Sequence, residues 1–173
     1  VTSRDEQSEF GYNRIASFGL LTEDVGGLKE VGHSDVVNGT RWHHNIISDT
    51  NAYDIGLYLD FASEFLVDHN IVYEVARGHN VNDAHYHHIY NNTISSYNKI
   101  DKVIWGNPAL PTYVKNNILI GAGKEENSNF VYEANLFWEN MNQLVDPAGG
   151  DFSLVQGSVA IDLGVVIPDG PDP

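Results

Sequence analysis

Six asparagines, Asn13, Asn45, Asn70, Asn92, Asn117 and Asn135, each sit inside a short apolar frame and recur at spacings of 32, 25, 22, 25 and 18 residues. Three places before them stand Phe10, Trp42, Val67, Ile89, Val114 and Tyr132; two places after them stand Ile15, Ile47, Val72, Ile94, Leu119 and Phe137. A short strand on each side of a fixed polar corner, repeated at this period, is the sequence mark of stacked solenoid coils. Asparagine suits the corner for two reasons. It tolerates the left-handed backbone region of a tight bend, and its amide can bond to the same amide about 4.8 Å above and below. The pattern predicts an all-β chain, a parallel β-helix (solenoid) with an asparagine ladder.

The frames lay out two walls: residues 40–43 then 46–48, 65–68 then 71–74, 86–90 then 93–95, and 112–115 then 118–120. A third wall is expected between these pairs, at residues 27–31, 55–60, 78–82 and 103–105. In the second of these, Ile55, Leu57 and Leu59 alternate inward while Asp54, Gly56, Tyr58 and Asp60 face out. Aligning the third walls on their glycines puts Gly27, Gly56 and Gly78 in one column, Lys29, Tyr58 and Asn80 in the next, and Val31, Asp60 and Asn82 beyond. Outer glycines on this polar face would let a ligand approach the backbone. The column His43, Asp68, Tyr90, Lys115 and Glu133 reads instead as an ordinary solvated surface.

At 173 residues and 42% apolar the chain is long enough for one domain with a filled core. A net charge of −15 with only nine Lys and Arg argues against nucleic acid as a partner, because phosphate binding needs clustered cations. The absence of cysteine removes disulfides, thiolate metal sites and cysteine nucleophiles together. No run approaches the roughly 18 apolar residues of a membrane span, so membrane insertion is not expected. Residues 1–10 lack the regions of a signal peptide and could not cover a solenoid end, so the chain reads as a fragment of a longer β-helix protein. Coils are expected over residues 1–142, and a final strand with a C-terminal cap segment over residues 143–173, where apolar residues are broken by Gly and Pro.

The segments Asp24-Val25-Gly26-Gly27-Leu28, Gly39-Thr40, His44-Asn45, Gly56-Leu57-Tyr58-Leu59-Asp60 and Asn91-Asn92-Thr93 resemble bacterial secreted right-handed parallel β-helix proteins of the pectate-lyase-like superfamily. So does the closing Asp151-Phe152-Ser153-Leu154 with Gly157-Ser158 and Ala160-Ile161-Asp162, although Val159 stands where such tails commonly carry proline. The resemblance implies a right-handed coil, a secreted or cell-surface location, and a polysaccharide or oligosaccharide lying along one parallel sheet. It carries over no catalytic residue, because neither the aspartate cluster and Gly-His-Gly of polygalacturonases nor the arginine-centred pectate-lyase motif occurs. Gly78-His79-Asn80 is the nearest approach to the former.

A glycoside hydrolase needs two carboxyl groups flanking one bond, about 5 Å apart for retention or about 6.5 to 9.5 Å for inversion. Asp24 and Asp54 hold corresponding places before successive third-wall strands, and Asp60 falls within reach of His33 or Asp35. These three aspartates, Asp24, Asp54 and Asp60, are the candidate catalytic residues, although aspartate at a strand end also commonly closes a turn. Lys29, Tyr58, Asn80, Asn82 and Trp105 are the candidate substrate-binding residues, with Tyr53, Tyr58 and Trp105 as sugar-stacking platforms. Trp42, at an inward ladder position, is core.

A polysaccharide lyase is the alternative. It would take Lys29 and Tyr58 as base and acid, with Arg77 two coils on, but an acidic chain repels polyuronate. A noncatalytic surface, adhesin or glycan-binding scaffold module is the rival from another class. His44 and His69 precede the ladder asparagine in consecutive coils, where imidazole stacking outweighs zinc binding, and no metal ligand set is assigned. Calcium is the one cofactor left open, through the hard oxygens of Asp35, Asn38, Asp60 and Asn82.

Overall fold

A computed structural model describes residues 8–19, 25–32, 39–50, 53–83, 86–97, 102–121 and 123–167. Its strands run in a repeating order: β1 (Glu9–Gly11), β2 (Arg14–Phe18) and β3 (Gly26–Val31), then β4 (Arg41–His43), β5 (Ile46–Thr50) and β6 (Ile55–Asp60). The third repeat is β7 (Leu66–Asp68), β8 (Ile71–Val75) and β9 (Arg77–Asn82), and the fourth is β10 (His88–Tyr90), β11 (Thr93–Ser96) and β12 (Ile104–Asn107). Two shorter repeats follow, β13 (Thr112–Lys115) with β14 (Ile118–Ile120) and β15 (Phe130–Glu133) with β16 (Leu136–Trp138).

Corresponding strands of successive repeats pair in three parallel sheets. The first is β1-β4-β7-β10-β13-β15, the second β2-β5-β8-β11-β14-β16 and the third β3-β6-β9-β12. Sequence neighbours therefore lie in different sheets, and each strand hydrogen-bonds to strands one repeat away. Among the described residues the sole helical element is a 310 turn at Pro147–Gly149, so none could cross a membrane as a helix.

The asparagines form one ladder between the first and second sheets. Each Nδ2 donates to the Oδ1 of the next: Asn13 to Asn45 at 2.9 Å, Asn45 to Asn70 at 2.9 Å, Asn70 to Asn92 at 3.0 Å, Asn92 to Asn117 at 3.0 Å and Asn117 to Asn135 at 2.9 Å. The same Oδ1 atoms accept the backbone N–H of the preceding asparagine, and the spare amide hydrogens go to carbonyls such as Trp42 O and Val67 O. Buried backbone groups at the corner are thereby matched, which a buried bend requires.

The left-handed conformation belongs to the preceding residue rather than to the asparagine. Tyr12, His44, His69, Asn91, Asn116 and Ala134 all have φ between 50° and 60°. The expectation that the ladder asparagine itself takes the bend is corrected by this column.

Trp42, Val67, Ile89 and Val114 of the first sheet meet Ile47, Val72, Ile94 and Leu119 of the second in the core, joined by Leu57, Leu59, Val81 and Ile104 of the third. The last frame is less covered, with Phe137 40% exposed.

The glycine column pairs as expected, since Gly26 faces Ile55 and Leu28 faces Leu57, and Ile55 in turn faces Arg77. Its direction is opposite to the expectation. A Cβ on Gly27, Gly56 or Gly78 would strike the side chain of Ile47, Val72 or Ile94, and would lie 2.6 to 2.9 Å from a backbone oxygen of the next repeat. These glycines face the core because the strand enters it there too tightly for any side chain, and they open nothing to a ligand. The last third-wall strand is Ile104–Asn107 rather than residues 103–105.

The first-sheet outer wall also departs from the expectation of a solvated surface. His43 is 5% exposed, Asp68 0% and Tyr90 6%, because their polar groups bond across the wall to one another and to neighbouring corners.

Beyond Trp138, β17 (Leu144–Asp146) and β18 (Asp151–Leu154) form an antiparallel hairpin around the 310 turn, whose Gly149 N–H donates to Asp146 Oδ1 at 3.0 Å. The hairpin and the segment after it lie against the second sheet and the corner of the fifth repeat. Phe152 meets Tyr73 at 4.8 Å between ring centroids, and Asn116 exchanges two hydrogen bonds with the backbone of Val165.

Candidate functional site

The third sheet presents two aligned outer rows. Pairing register places Lys29 beside Tyr58, Tyr58 beside Asn80 and Asn80 beside Trp105. The second row runs Val31, Asp60, Asn82 and Asn107. Sheet spacing sets each step at about 4.8 Å. All five candidate substrate-binding residues, Lys29, Tyr58, Asn80, Asn82 and Trp105, thus share one face with Asp60.

The rows carry two cation-covered rings. Lys29 Nζ lies 4.3 Å from the centre of the Tyr58 ring, and the Arg77 guanidinium 5.2 Å from that of Trp105. This contact makes Lys29 a partner of the ring face rather than of the Tyr58 hydroxyl. Asn82 Nδ2 donates to Asp60 Oδ1 at 2.9 Å, and Asn127 Nδ2 to Asn107 Oδ1 at 2.9 Å. In the same row, Asn80 Oδ1 and the Trp105 Nε1–H are buried, and neither has a hydrogen-bond partner. An unmatched acceptor beside an unmatched donor in neighbouring strands is costly, at roughly 1 to 3 kcal/mol for each group.

The carboxylates are more scattered. Asp54 is 0% exposed and its carboxylate abuts Gly19, so it stands in the interior at the start of β6 and not on the outer face. Asp60 ends the same strand, six positions on, which at about 3.3 Å per residue is roughly 20 Å away. These two do not form a hydrolytic pair. Asp24 lies outside the described residues, as do His33, Asp35 and Asn38, so of the four calcium candidates Asp60 and Asn82 are seen, bonded to each other.

The first-sheet wall and its corner hold a polar network that the column reading missed. Arg41 donates from Nε and Nη2 to the two oxygens of Asp68, both at 2.8 Å, and His69 Nδ1 lies 2.8 Å from Asp68 Oδ2. Burial pushes the Asp68 carboxyl up, but these hydrogen bonds outweigh it and hold the group below the usual carboxylate range. The His44 and His69 rings stack at 5.0 Å with planes 8° apart, Tyr12 stacks on His44 at 4.9 Å, and burial followed by the neighbouring imidazoles lowers the pKa of His44. His43 and His44 meet at 2.9 Å between their Nδ1 atoms, although adjacent strand residues should diverge; the left-handed bend at His44 turns its ring back.

Further along, His88 Nδ1 lies 2.5 Å from the Tyr90 hydroxyl, Tyr113 stacks on His88, and Lys115 Nζ lies 2.6 Å from Glu133. Burial lowers His88 and raises Tyr90. Sequence signal existed for this wall, because alternating residues carry complementary charge across repeats: Arg41 against Asp68 and Lys115 against Glu133.

Two histidines are fully buried, His79 and His87. His79 occupies an inward position between Leu57 and Ile104, with Nδ1 2.9 Å from Leu57 O and Nε2 buried without a partner. Desolvation lowers its pKa to about 4.

No protein-family model matches the chain, and no curated protein or solved structure matches it.

Proposed function

We propose that this chain is a right-handed parallel β-helix of the pectate-lyase-like type, closed by its C-terminal segment, and that it binds a neutral polysaccharide along the outer face of the third sheet. Three parallel sheets visited in fixed rotation fit a β-helix, and crossovers between parallel strands are overwhelmingly right-handed. The observation that carries the binding reading is the aligned outer row Lys29, Tyr58, Asn80 and Trp105, which sets two aromatic side chains and an amide on one parallel face at the repeat spacing. A pyranose ring offers an apolar face to an aromatic ring, and the repeat spacing approximates one sugar unit of an extended chain. The net charge of −15 favours neutral over acidic glycans.

Hydrolysis is the reaction we assign to this face, with Asp60 as the carboxylate beside the bound chain. Asp54, being interior, is assigned to the fold instead. A secreted or cell-surface location follows from a polysaccharide ligand.

A lyase is the second reading, favoured by the first-sheet wall. There the Tyr90 hydroxyl, His88 and Lys115 form a chain suited to taking a proton beside a uronate carboxylate. In that step the C–H electrons would form a carbon–carbon double bond as the glycosidic oxygen leaves and is protonated.

The test is a panel of neutral and acidic polysaccharides, scored for binding, for new reducing ends and for ultraviolet absorbance of unsaturated products, with Asp60→Asn, Asp24→Asn and Tyr90→Phe alongside. Reducing ends without absorbance, lost in Asp60→Asn, are expected. Absorbance lost in Tyr90→Phe would move the activity to the first-sheet wall. Binding without turnover would leave a glycan-binding surface module, and no binding to any glycan would overturn the proposal.

A further inference from the structure

We propose that the corner formed by His44, His69 and Asp68 is a surface site for a divalent transition-metal ion, with zinc as the probe. One nitrogen of each imidazole and one carboxylate oxygen of Asp68 lie within 4.8 Å of one another. The site is separate from the third-sheet face and does not depend on the glycan reading.

Hydrogen bonding fixes which nitrogens are available. Arg41 holds the Asp68 carboxylate, and His69 Nδ1 reaches that carboxylate at 2.8 Å, so the His69 proton sits on Nδ1 and its Nε2 carries a lone pair. On the other ring, His43 Nε2 lies 2.7 Å from Glu9 Oε1 and donates to it. His43 Nδ1 is then an acceptor, His44 Nδ1 donates to it at 2.9 Å, and His44 Nε2 also carries a lone pair. Two acid-backed relays thus present the same nitrogen from consecutive repeats. A carboxylate behind a ligating imidazole is the arrangement that orients metal-binding histidines and raises their basicity. Asp68 and Glu9 are positioning residues here, Asp68 through His69 and Glu9 through His43.

The rings are stacked at 5.0 Å and must close to share an ion, because zinc–nitrogen bonds of about 2.0 to 2.1 Å at a tetrahedral angle bring nitrogens to roughly 3.3 Å. The gap would be closed by tilting the two side chains toward each other, and the contact already made by the His69 Nε2 lone pair is weak, with Asn91 Nδ2 at 3.4 Å. Imidazole ligands select zinc, copper or nickel over calcium and magnesium, which require oxygens.

The experiment is calorimetric titration of the whole chain with zinc chloride and, separately, calcium chloride, on the wild type and on His44→Asn and His69→Asn. Asparagine already occupies this corner as Asn91 and Asn116, both at positive φ, so the variants keep the backbone conformation, and circular dichroism checks that they fold. Saturable zinc binding is expected in the wild type, weakened at least about tenfold in each variant, with no calcium response. Nitrogen-15 spectra should move the His44 and His69 ring signals together. An absence of saturable zinc binding, unchanged binding in either variant, or an equal calcium response would overturn the site.

Discussion

The asparagine corner and the outer face of the third sheet are built on the same repeat and differ in what they leave unmatched. At the corner one residue type recurs six times, and the first five amides each find their partner in the next repeat. On the face the residue changes at each step, from Lys29 to Tyr58 to Asn80 to Trp105, and two buried polar atoms find no partner. A column of identical groups satisfies itself by translation. A column of different groups does not.

Breaking the self-matched column should cost most. Asn70→Ala removes donors to Asn92 Oδ1 and Trp42 O and the acceptor of both Asn45 N–H groups. At 1 to 3 kcal/mol for each buried group left unmatched, the loss should be roughly 4 kcal/mol by urea denaturation. Asn13→Ala, at the more exposed first rung, should cost under about 1 kcal/mol. Equal losses at the two rungs would mean that the ladder does not act through burial.

Gly56→Ala comes next, at about 3 kcal/mol, because the added methyl meets Val72 and sits 2.8 Å from Gly78 O. A neutral Gly56→Ala would return the glycine column to the outer face.

His79 tests the interior on acidification. Its folded value of about 4 lies below the ordinary 6.5, so the unfolded chain takes up the proton first as pH falls. Stability should be whole above pH 6.5, fall by up to about 3 kcal/mol between pH 6.5 and 4, and level off below. His79→Leu, matching Leu57 in the same column, should flatten that part of the stability–pH curve.

The smallest stability change is expected where the functional change is largest. Asn80→Leu removes an unmatched buried acceptor and should leave stability within about 1 kcal/mol of wild type, while glycan affinity falls about tenfold. A large stability loss with intact binding would make Asn80 part of the scaffold.

The repeating half of this comparison was legible in the sequence. The frames around Asn13 to Asn135 gave the strand pairs, and the alignment of Gly27, Gly56 and Gly78 gave the third-sheet register. Three readings failed, two of them where backbone geometry overrides residue preference. Asparagine is the residue most tolerant of the bend, yet its amide is fully engaged in the ladder, and the bend falls to the residue before it, even to Tyr12 and two histidines. Strand alternation carried back from Tyr58 put Gly56 outside, but the chain turns at that point and Gly56 and Leu57 both face inward. The first-sheet wall looked solvated because the column was read alone; Arg41, in the next column of β4, reaches across to Asp68 in β7 and takes its charge out of water.

The ladder also has a direction. From Asn13 to Asn117 the backbone N–H or a side-chain amide hydrogen is offered to the asparagine oxygen of the repeat that comes later in the chain, while from Asn45 onward the oxygen accepts from the one that came earlier. A polypeptide made from its N-terminus therefore holds out donors at its newest rung until the following repeat is synthesised and delivers the acceptor. The two ends of such a column are therefore unlike, acceptor-facing at one and donor-facing at the other, and a further rung would meet a different chemistry at each.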